Sequence, residues 1–285
     1  MFFGIRTNQF LSHILRAART FLNSIYLCTY KNQSTSRDTH LIKTISTLTL
    51  SVSSLYVRSS GSTPHLIIID ASTDQGIASL HPHWLRSGAH VVTANKRAIS
   101  SSLELYNSVY SAVRNNNRMY MSEVTIGAAL PIQTTLNDLL CSGDAVHSIV
   151  GLMSVSAGVI LSAICEDGLS FSDAVEKTHI TGLFEDDVFV DLEGTEAAQK
   201  LLILGRELGC AMSIEDIEVE PLATRRHVES WHDLKEVFAK ENIEMARRAT
   251  EANAKGCTLR YVQRIECSTP AGFGSGSPVQ VRKLE

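Results

Sequence analysis

The chain has 285 residues, 44% of them hydrophobic and 20% charged, with a formal net charge of −4. That is an ordinary globular composition, long enough for two modest domains or one large one. The acidic balance argues against nucleic acid as the main partner, since phosphate binding needs a basic surface. No stretch reaches the roughly 18 consecutive apolar residues of a membrane span.

Six cysteines are scattered without a CxxC pair, which reads as free thiols in a reducing compartment. Ten histidines include His81, His83 and His90, but none falls in an HExxH pattern, so they read as core or surface residues and no structural zinc is expected. Residues 1–69 hold seven Lys/Arg and one acid, Asp38. Residues 1–60 therefore read either as an organelle transit segment or as a diverged first lobe of a nucleotide-binding domain. The compartment expected is cytoplasmic, with mitochondrion or plastid as the alternative if that segment is a transit peptide.

In chain order, Phe10 to Phe21 has helical periodicity and Ile25 to Tyr30 reads as a strand. The Ser/Thr-rich segment 34–63 reads as loop. His65 to Asp70 is a β-branched run ending in an acid, as in a strand buried on both faces of a parallel sheet. A helix is predicted over Gln75 to Ser87, followed by a buried strand, Ala89 to Thr93, and then Asn95-Lys96. Strand, helix and strand in about thirty residues make a βαβ unit, whose ligands sit outside the carboxyl ends of the strands. Lys96 is placed there, although a lysine after a strand is most often merely solvent-facing. A helix is predicted from Leu103 to Asn115, a strand from Met119 to Thr125, and a helix opened by Pro131 and closed by Gly143. The small-residue turn Ile126 to Pro131 lets backbone carbonyls point at a ligand, with Glu123 near in sequence. Oxygen ligands of that kind suit hard cations, while close strand–helix packing uses the same small residues.

Val146 to Ser156 reads as a strand, and Ala157 to Cys165 and Ser172 to Thr178 as helices, with Ser170 placed as a cap. Ile214 to Pro221 is strand or loop, Ser230 to Lys255 a long polar helix, Thr258 to Glu266 a final strand, and Gly272 to Ser277 a flexible tail. Between them lies Gly182 to Gly209. It opens with six carboxylates in fifteen residues: Glu185, Asp186, Asp187, Asp191, Glu193 and Glu196. An apolar helix, Thr195 to Leu208, follows and is stopped by Gly209. Glu196 and Lys200 stand one helical turn apart. A lysine held among carboxylates at the mouth of a buried helix can act as a proton donor, although most such pairs are solvated helix faces.

Taken together, Asp70, VVTANK (91–96), EVTIGAALP (123–131), the GLMS turn (151–154), the stretch 182–209 and LRYV (259–262) resemble the homoserine dehydrogenase family in order and spacing. The resemblance covers most of residues 65–265. It implies an α/β protein: a truncated Rossmann-like parallel-sheet lobe over 1–125, and an α+β substrate and dimerisation domain over 126–285. It implies NAD(P)-dependent interconversion of L-homoserine and L-aspartate 4-semialdehyde, on the route to threonine, methionine and isoleucine.

By the same resemblance Lys200 is the proton donor, Lys96 lies between cofactor and substrate, and Glu196 stands where the family has aspartate. Glu185 grips the substrate's amino group, with Asp191 and Glu196 beside it as substrate-binding acids. Ser72, Lys96 and Gly182 approach the nicotinamide cofactor, NADP or NAD. Glu123, with the backbone oxygens of Ile126, Ala128 and Leu130, matches a sodium site. The expected partners are a small amino-acid substrate and a second copy of the chain in a homodimer.

The chain departs from the family in places. The glycine-rich turn for the pyrophosphate is represented only by Gly4-Ile-Arg-Thr-Asn-Gln9, in which Arg6 and Gln9 crowd the approach of phosphates. Asp186, Val188 and Phe189 replace two prolines and an arginine, and Ser154-Val-Ser156 replaces a serine-glycine-threonine turn. The C-terminal segment that closes over the cofactor is expected to be truncated. Two other readings stay open: a catalytically silent homologue or fragment serving as a dimerisation partner, and an amino-acid-binding module.

Overall fold

The computed structural model describes residues 25–28, 42–44, 66–184, 187–226, 234–271 and 279–280, and the chain divides into two compact units, Met1–Thr125 and Ile126–Glu285. The first is α/β. Strands β1 (Ile25–Cys28), β2 (Ile42–Thr44), β3 (Leu66–Asp70), β4 (Ala89–Thr93) and β5 (Tyr120–Met121) form one sheet in the order β2-β1-β3-β4-β5. Every pair is parallel. The chain leaves β1 for β2 on one side and returns to its other side as β3. The strand order reverses there, which opens a crevice at the carboxyl ends.

The apolar run of β3 pairs residue for residue with β4, from Leu66↔Ala89 to Asp70↔Thr93. Short helices α1 (Gln75–Ala78), α2 (His81–Arg86) and α3 (Arg97–Ser100) and the longer α4 (Leu103–Asn116) follow the strands. Trp84, Leu85, Val109 and Ala112 pack with Leu66, Ile68, Ala89 and Val91 in one core. Each such large side chain removed from water contributes about 1.5–3 kcal/mol before chain entropy is counted.

The structure corrects three expectations in this unit. Gln75 to Ser87 is two helices, because Pro82 lies in the first turn of α2 and has no N–H for a continuous ladder. The strand expected over Met119 to Thr125 stops at Met121. Beyond it the Ser122 carbonyl accepts both the Thr125 N–H (2.9 Å) and the Thr125 hydroxyl (2.6 Å), closing a 3-10 turn over Glu123–Thr125. Within the segment read as loop, Ile42–Thr44 is a strand paired with β1. The helix expected over Phe10 to Phe21 and the candidate phosphate turn at Gly4 to Gln9 lie outside the described residues.

In the second unit, β6 (Val146–Gly151), β7 (Gln263–Ala271) and β8 (Val279–Gln280) form an antiparallel sheet in that order. Its helices are α5 (Ile132–Cys141), α6 (Val155–Glu166), α7 (Phe171–Ile180), α8 (Val188–Leu192), α9 (Thr195–Glu207), α10 (Leu234–Val237) and α11 (Ala239–Ala254). Ile160, Leu161, Phe171, Val175, Leu192 and Phe238 centre the core. Phe171 and Phe238 meet edge to face at 5.3 Å between centroids, a favoured aromatic geometry.

Local chemistry moves several boundaries. β6 ends at Gly151 because the Ser154 hydroxyl accepts from Ala157 N–H and starts α6 there. Ser170 caps α7 as expected. Pro131 is the cap of α5 and not its first helical residue. The long polar helix begins only at Ala239, since the buried Phe238 separates it from α10. Residues 258–262 are not strand, and the final strand runs Gln263–Ala271. Ile214–Asp216 is a 3-10 turn closed by a Ser213/Asp216 capping box. Helix α9, expected to bury one side, buries Ala197, Ala198 and every residue from Leu201 to Arg206. Gly209, at φ 86°, follows it in the left-handed region. The tail 272–277 lies outside the described residues.

Candidate active site

Helix α9 starts from Gly194 in the left-handed conformation (φ 77°) and carries Glu196 in its first turn and Lys200 in its second. The solvated-face reading of this pair does not hold. Their side chains are 11% and 18% exposed, and Lys200 Nζ lies 3.3 Å from Glu196 Oε1. Lys200 Nζ also donates to the Met153 carbonyl at 2.9 Å. The ammonium is therefore held by a carboxylate from its own helix and a carbonyl from the turn after β6.

That turn is itself pinned. Met153 N–H donates to Gln263 Oε1 at 2.5 Å, and the Ser154 hydroxyl lies 3.2 Å from that of Ser156. The Ser156 hydroxyl donates to Asp191 Oδ1 at 2.9 Å, and Asp191 is buried. Lys200, Glu196 and the 153–156 turn thus form one polar cluster, with Asp191 attached through Ser156. Neither Met153 nor Gln263 stood out in the sequence, because a backbone carbonyl and a glutamine 110 residues away carry no local signature.

The acidic loop is less charged than its sequence suggests. Arg225 Nη1 donates to Asp187 Oδ2 at 2.7 Å, and Glu193 accepts from the Arg225 N–H at 3.0 Å and from its guanidinium at 3.4 Å. The same guanidinium lies 5.5 Å from the centre of the Phe189 ring. The hydrogen bond from Arg225 is the main cause holding the Asp187 carboxyl below its usual range. Asp187 also caps α8 by accepting from Phe189 N–H at 3.0 Å. Arg225 is a residue the sequence reading missed, arriving 38 positions after Asp187. Glu185 and Asp186 lie outside the described residues. Gly182 is exposed at the end of α7, at φ 68°, and its N–H donates to the His179 carbonyl.

In the first unit, Asp70 is wholly buried at the carboxyl end of β3. Its Oδ1 accepts from the N–H and the hydroxyl of Ser72 at 2.9 and 2.6 Å. Its Oδ2 accepts from Asn95 Nδ2 at 3.0 Å and lies 2.9 Å from His81 Nε2. His81 Nδ1 is 3.0 Å from the Tyr120 hydroxyl, and the tautomer protonated on Nε2 satisfies both contacts. Burial works against the Asp70 charge, yet the bonds from His81 and Ser72 bring its carboxyl below the ordinary value. Burial, with the Asp70 charge behind it, pushes the Tyr120 phenol far up.

Asn95 Nδ2 donates as well to the Asp74 carbonyl at 2.9 Å, and Asn95 Oδ1 accepts from Arg97 N–H at 3.1 Å. The loops after β3 and β4 are stapled together at the sheet edge where ligands of such folds bind. Lys96 sits in this staple, partly buried, as the cap of α3. The N–H and the hydroxyl of Ser72 both donate to Asp70, while its Oγ accepts from Asn95 Nδ2 at 3.3 Å and from Asp74 N–H at 3.4 Å. His81, read as an ordinary core or surface residue, is a buried partner of the only acid in β3.

Of the candidate cation ligands, Glu123 is partly buried in the 3-10 turn and Ile126 is wholly buried. Ala128 is left-handed at φ 52°, and the Leu130 carbonyl accepts from Ile132 N–H at 2.9 Å. A carbonyl oxygen that accepts one hydrogen bond keeps a second lone pair. Among the described residues no group of three or more His, Cys, Asp or Glu is arranged to hold a metal, and no helix is long and apolar enough to cross a membrane.

Comparison with known proteins adds independent findings. Residues 131–282 match the family model described as homoserine dehydrogenase, and residues 7–123 match that of its NAD binding domain. The chloroplastic bifunctional aspartokinase/homoserine dehydrogenase 2 of Zea mays is 33% identical over 211 residues, which cover 73% of this chain and 23% of that protein. The chain spans about a quarter of the length of the curated relatives it matches. A crystal structure of a Candida auris protein of unknown function aligns with a TM-score of 0.71 at 26% identity, covering 84% of this chain and 66% of the other. The homoserine dehydrogenase of Thiobacillus denitrificans aligns with a TM-score of 0.62 at 19% identity, covering 86% and 49%, a likeness of fold.

Proposed function

Because the chain belongs to the homoserine dehydrogenase family, we propose that it interconverts L-homoserine and L-aspartate 4-semialdehyde with NADPH or NADH. The observation that carries this reading is the Lys200 ammonium, held 3.3 Å from Glu196 and 2.9 Å from the Met153 carbonyl. Reduction of an aldehyde builds negative charge on its oxygen. A fixed ammonium at that oxygen stabilises the charge and delivers the proton. A bound reduced nicotinamide supplies the hydride.

In this proposal the first unit binds the nucleotide and the second holds the substrate and the chemistry. Lys200 is the proton donor and Glu196 keeps it aligned. Glu185, Asp191 and Glu196 receive the substrate's amino group. Lys96, Ser72 and Gly182 border the nicotinamide, and the fit is best for Lys96, set in the stapled edge of the parallel sheet. Glu123 with the oxygens of Ile126, Ala128 and Leu130 would hold a sodium ion. We also propose a homodimer formed by the second unit, supported by Val150, Leu152 and Val155, which are more than half exposed around the end of β6; sedimentation equilibrium checks it. The compartment we propose is the cytoplasm, checked by imaging the tagged chain, with an organelle as the contrary result.

The deciding measurement is loss of NADPH or NADH absorbance on addition of L-aspartate 4-semialdehyde to the purified chain. Turnover that disappears in Lys200→Ala supports the assignment. No oxidation of either nucleotide, together with calorimetric binding of homoserine in its absence, would point instead to an amino-acid-binding module.

A further inference from the structure

The 2.9 Å contact from Lys200 to the Met153 carbonyl requires something to hold that carbonyl, and the turn around it has little secondary structure to do so. β6 ends at Gly151, paired with Gln263 at the start of β7. Leu152 is 60% exposed, and the helical ladder of α6 begins only after Ser154. Met153 N–H would have no strand or helix partner. The Gln263 side chain reaches past the end of the strand pair and supplies one, its Oε1 accepting that N–H at 2.5 Å. On the other side of Met153, Ser154 is fixed as the cap of α6. The Met153 carbonyl lies between these two anchors, so its direction follows from them.

Gln263 is 4% exposed, and its Nε2 has no hydrogen-bond partner among the described residues. The carboxamide is therefore held in place by its oxygen end, and its one polar contact is with the turn that receives Lys200. We infer that Gln263 is a positioning residue for Lys200, acting through the Met153 backbone, so that the ammonium points where the substrate's carbonyl oxygen must arrive. The inference rests on the reading of Lys200 as proton donor. Its structural half, the clamp on Met153, stands apart from turnover.

The experiment uses the full chain with Gln263→Leu and Gln263→Glu. Leucine fills the space and removes the acceptor, whereas glutamate keeps an acceptor for Met153 N–H in nearly the same shape. Gln263→Leu is expected to lower kcat for semialdehyde reduction by about tenfold or more while KM stays within about twofold, because the donor is misaimed and the substrate is not unbound. Gln263→Glu is expected to recover most of that loss. Hydrogen exchange at the Met153 amide, read without substrate, is expected to accelerate in Gln263→Leu and to stay slow in Gln263→Glu. An unchanged kcat in Gln263→Leu overturns the positioning role, as does a Met153 amide equally protected in both variants. A wild-type chain with no turnover overturns the proposed activity instead, and amide exchange then decides the clamp by itself.

Discussion

The Tyr261 hydroxyl packs against Gly194, too close to leave room for a Cβ there, and it donates to the Glu220 carbonyl at 3.1 Å. This contact links the LRYV segment to the cap of the helix that carries Glu196 and Lys200. Burial, and then the nearby Glu220, push the Tyr261 phenol up to about 12, so the contact keeps its proton across the working pH range. Gly194→Ala meets two penalties: a left-handed φ of 77° and collisions with Tyr261 and Val219. We expect a loss of about 3 kcal/mol, seen as a lower urea midpoint with little change in slope.

Lys200→Ala is expected to reduce turnover by about 10²–10⁴-fold while circular dichroism stays native, because the side chain packs at the edge of the core and not within it. Glu196→Gln keeps the shape and removes the charge from a charge-assisted bond. A loss of about tenfold in kcat is expected. Wild-type turnover in Lys200→Ala would remove the proton-donor role.

The buried Asp70 makes the first unit acid-sensitive. Its folded carboxyl titrates below the ordinary 3.8, so the stability it contributes is present above that pH and is lost as pH falls through the lower folded value. Asp70→Asn should therefore be less stable than wild type at neutral pH, with the gap shrinking as pH drops below about 4. His81→Ala removes one of the donors to a buried carboxylate, leaving Ser72 and Asn95, and is expected to cost about 3 kcal/mol. Chemical denaturation repeated along a pH series checks both.

Phe171 is wholly buried and meets Phe238 edge-on. Phe171→Ala is expected to destabilise the second unit by about 3–5 kcal/mol. In a Trp231→Phe background, where Trp84 of the first unit is the only tryptophan, thermal unfolding followed by tryptophan fluorescence should shift less than far-ultraviolet dichroism.

Much of the fold was legible because the signals were local. The run Leu66–Asp70, the strand Ala89–Thr93 and the helix Leu103–Asn116 follow from periodicity within a few residues, and Ser170 and Gly209 mark helix ends by their own chemistry. The errors fell where a local pattern met a local competitor. Pro82 split one predicted helix, Thr125 closed a turn on Ser122, and Ser154 ended a strand by starting a helix. The site was half legible. The Glu196–Lys200 pair could be named from spacing, but spacing alone favoured a solvated face.

By itself the sequence determined the alternation of strands and helices in the first unit, the acidic approach to an apolar helix, and the motifs that resemble one family. Periodicity and capping act over a turn or two, so the order of residues is enough to express them. Only the tertiary structure decided that Lys200 is enclosed by Glu196 and Met153, that Arg225 bridges Asp187 and Glu193, and that His81 serves Asp70. Those partners lie one turn to dozens of residues apart, and what each charged group experiences depends on how much water packing leaves around it.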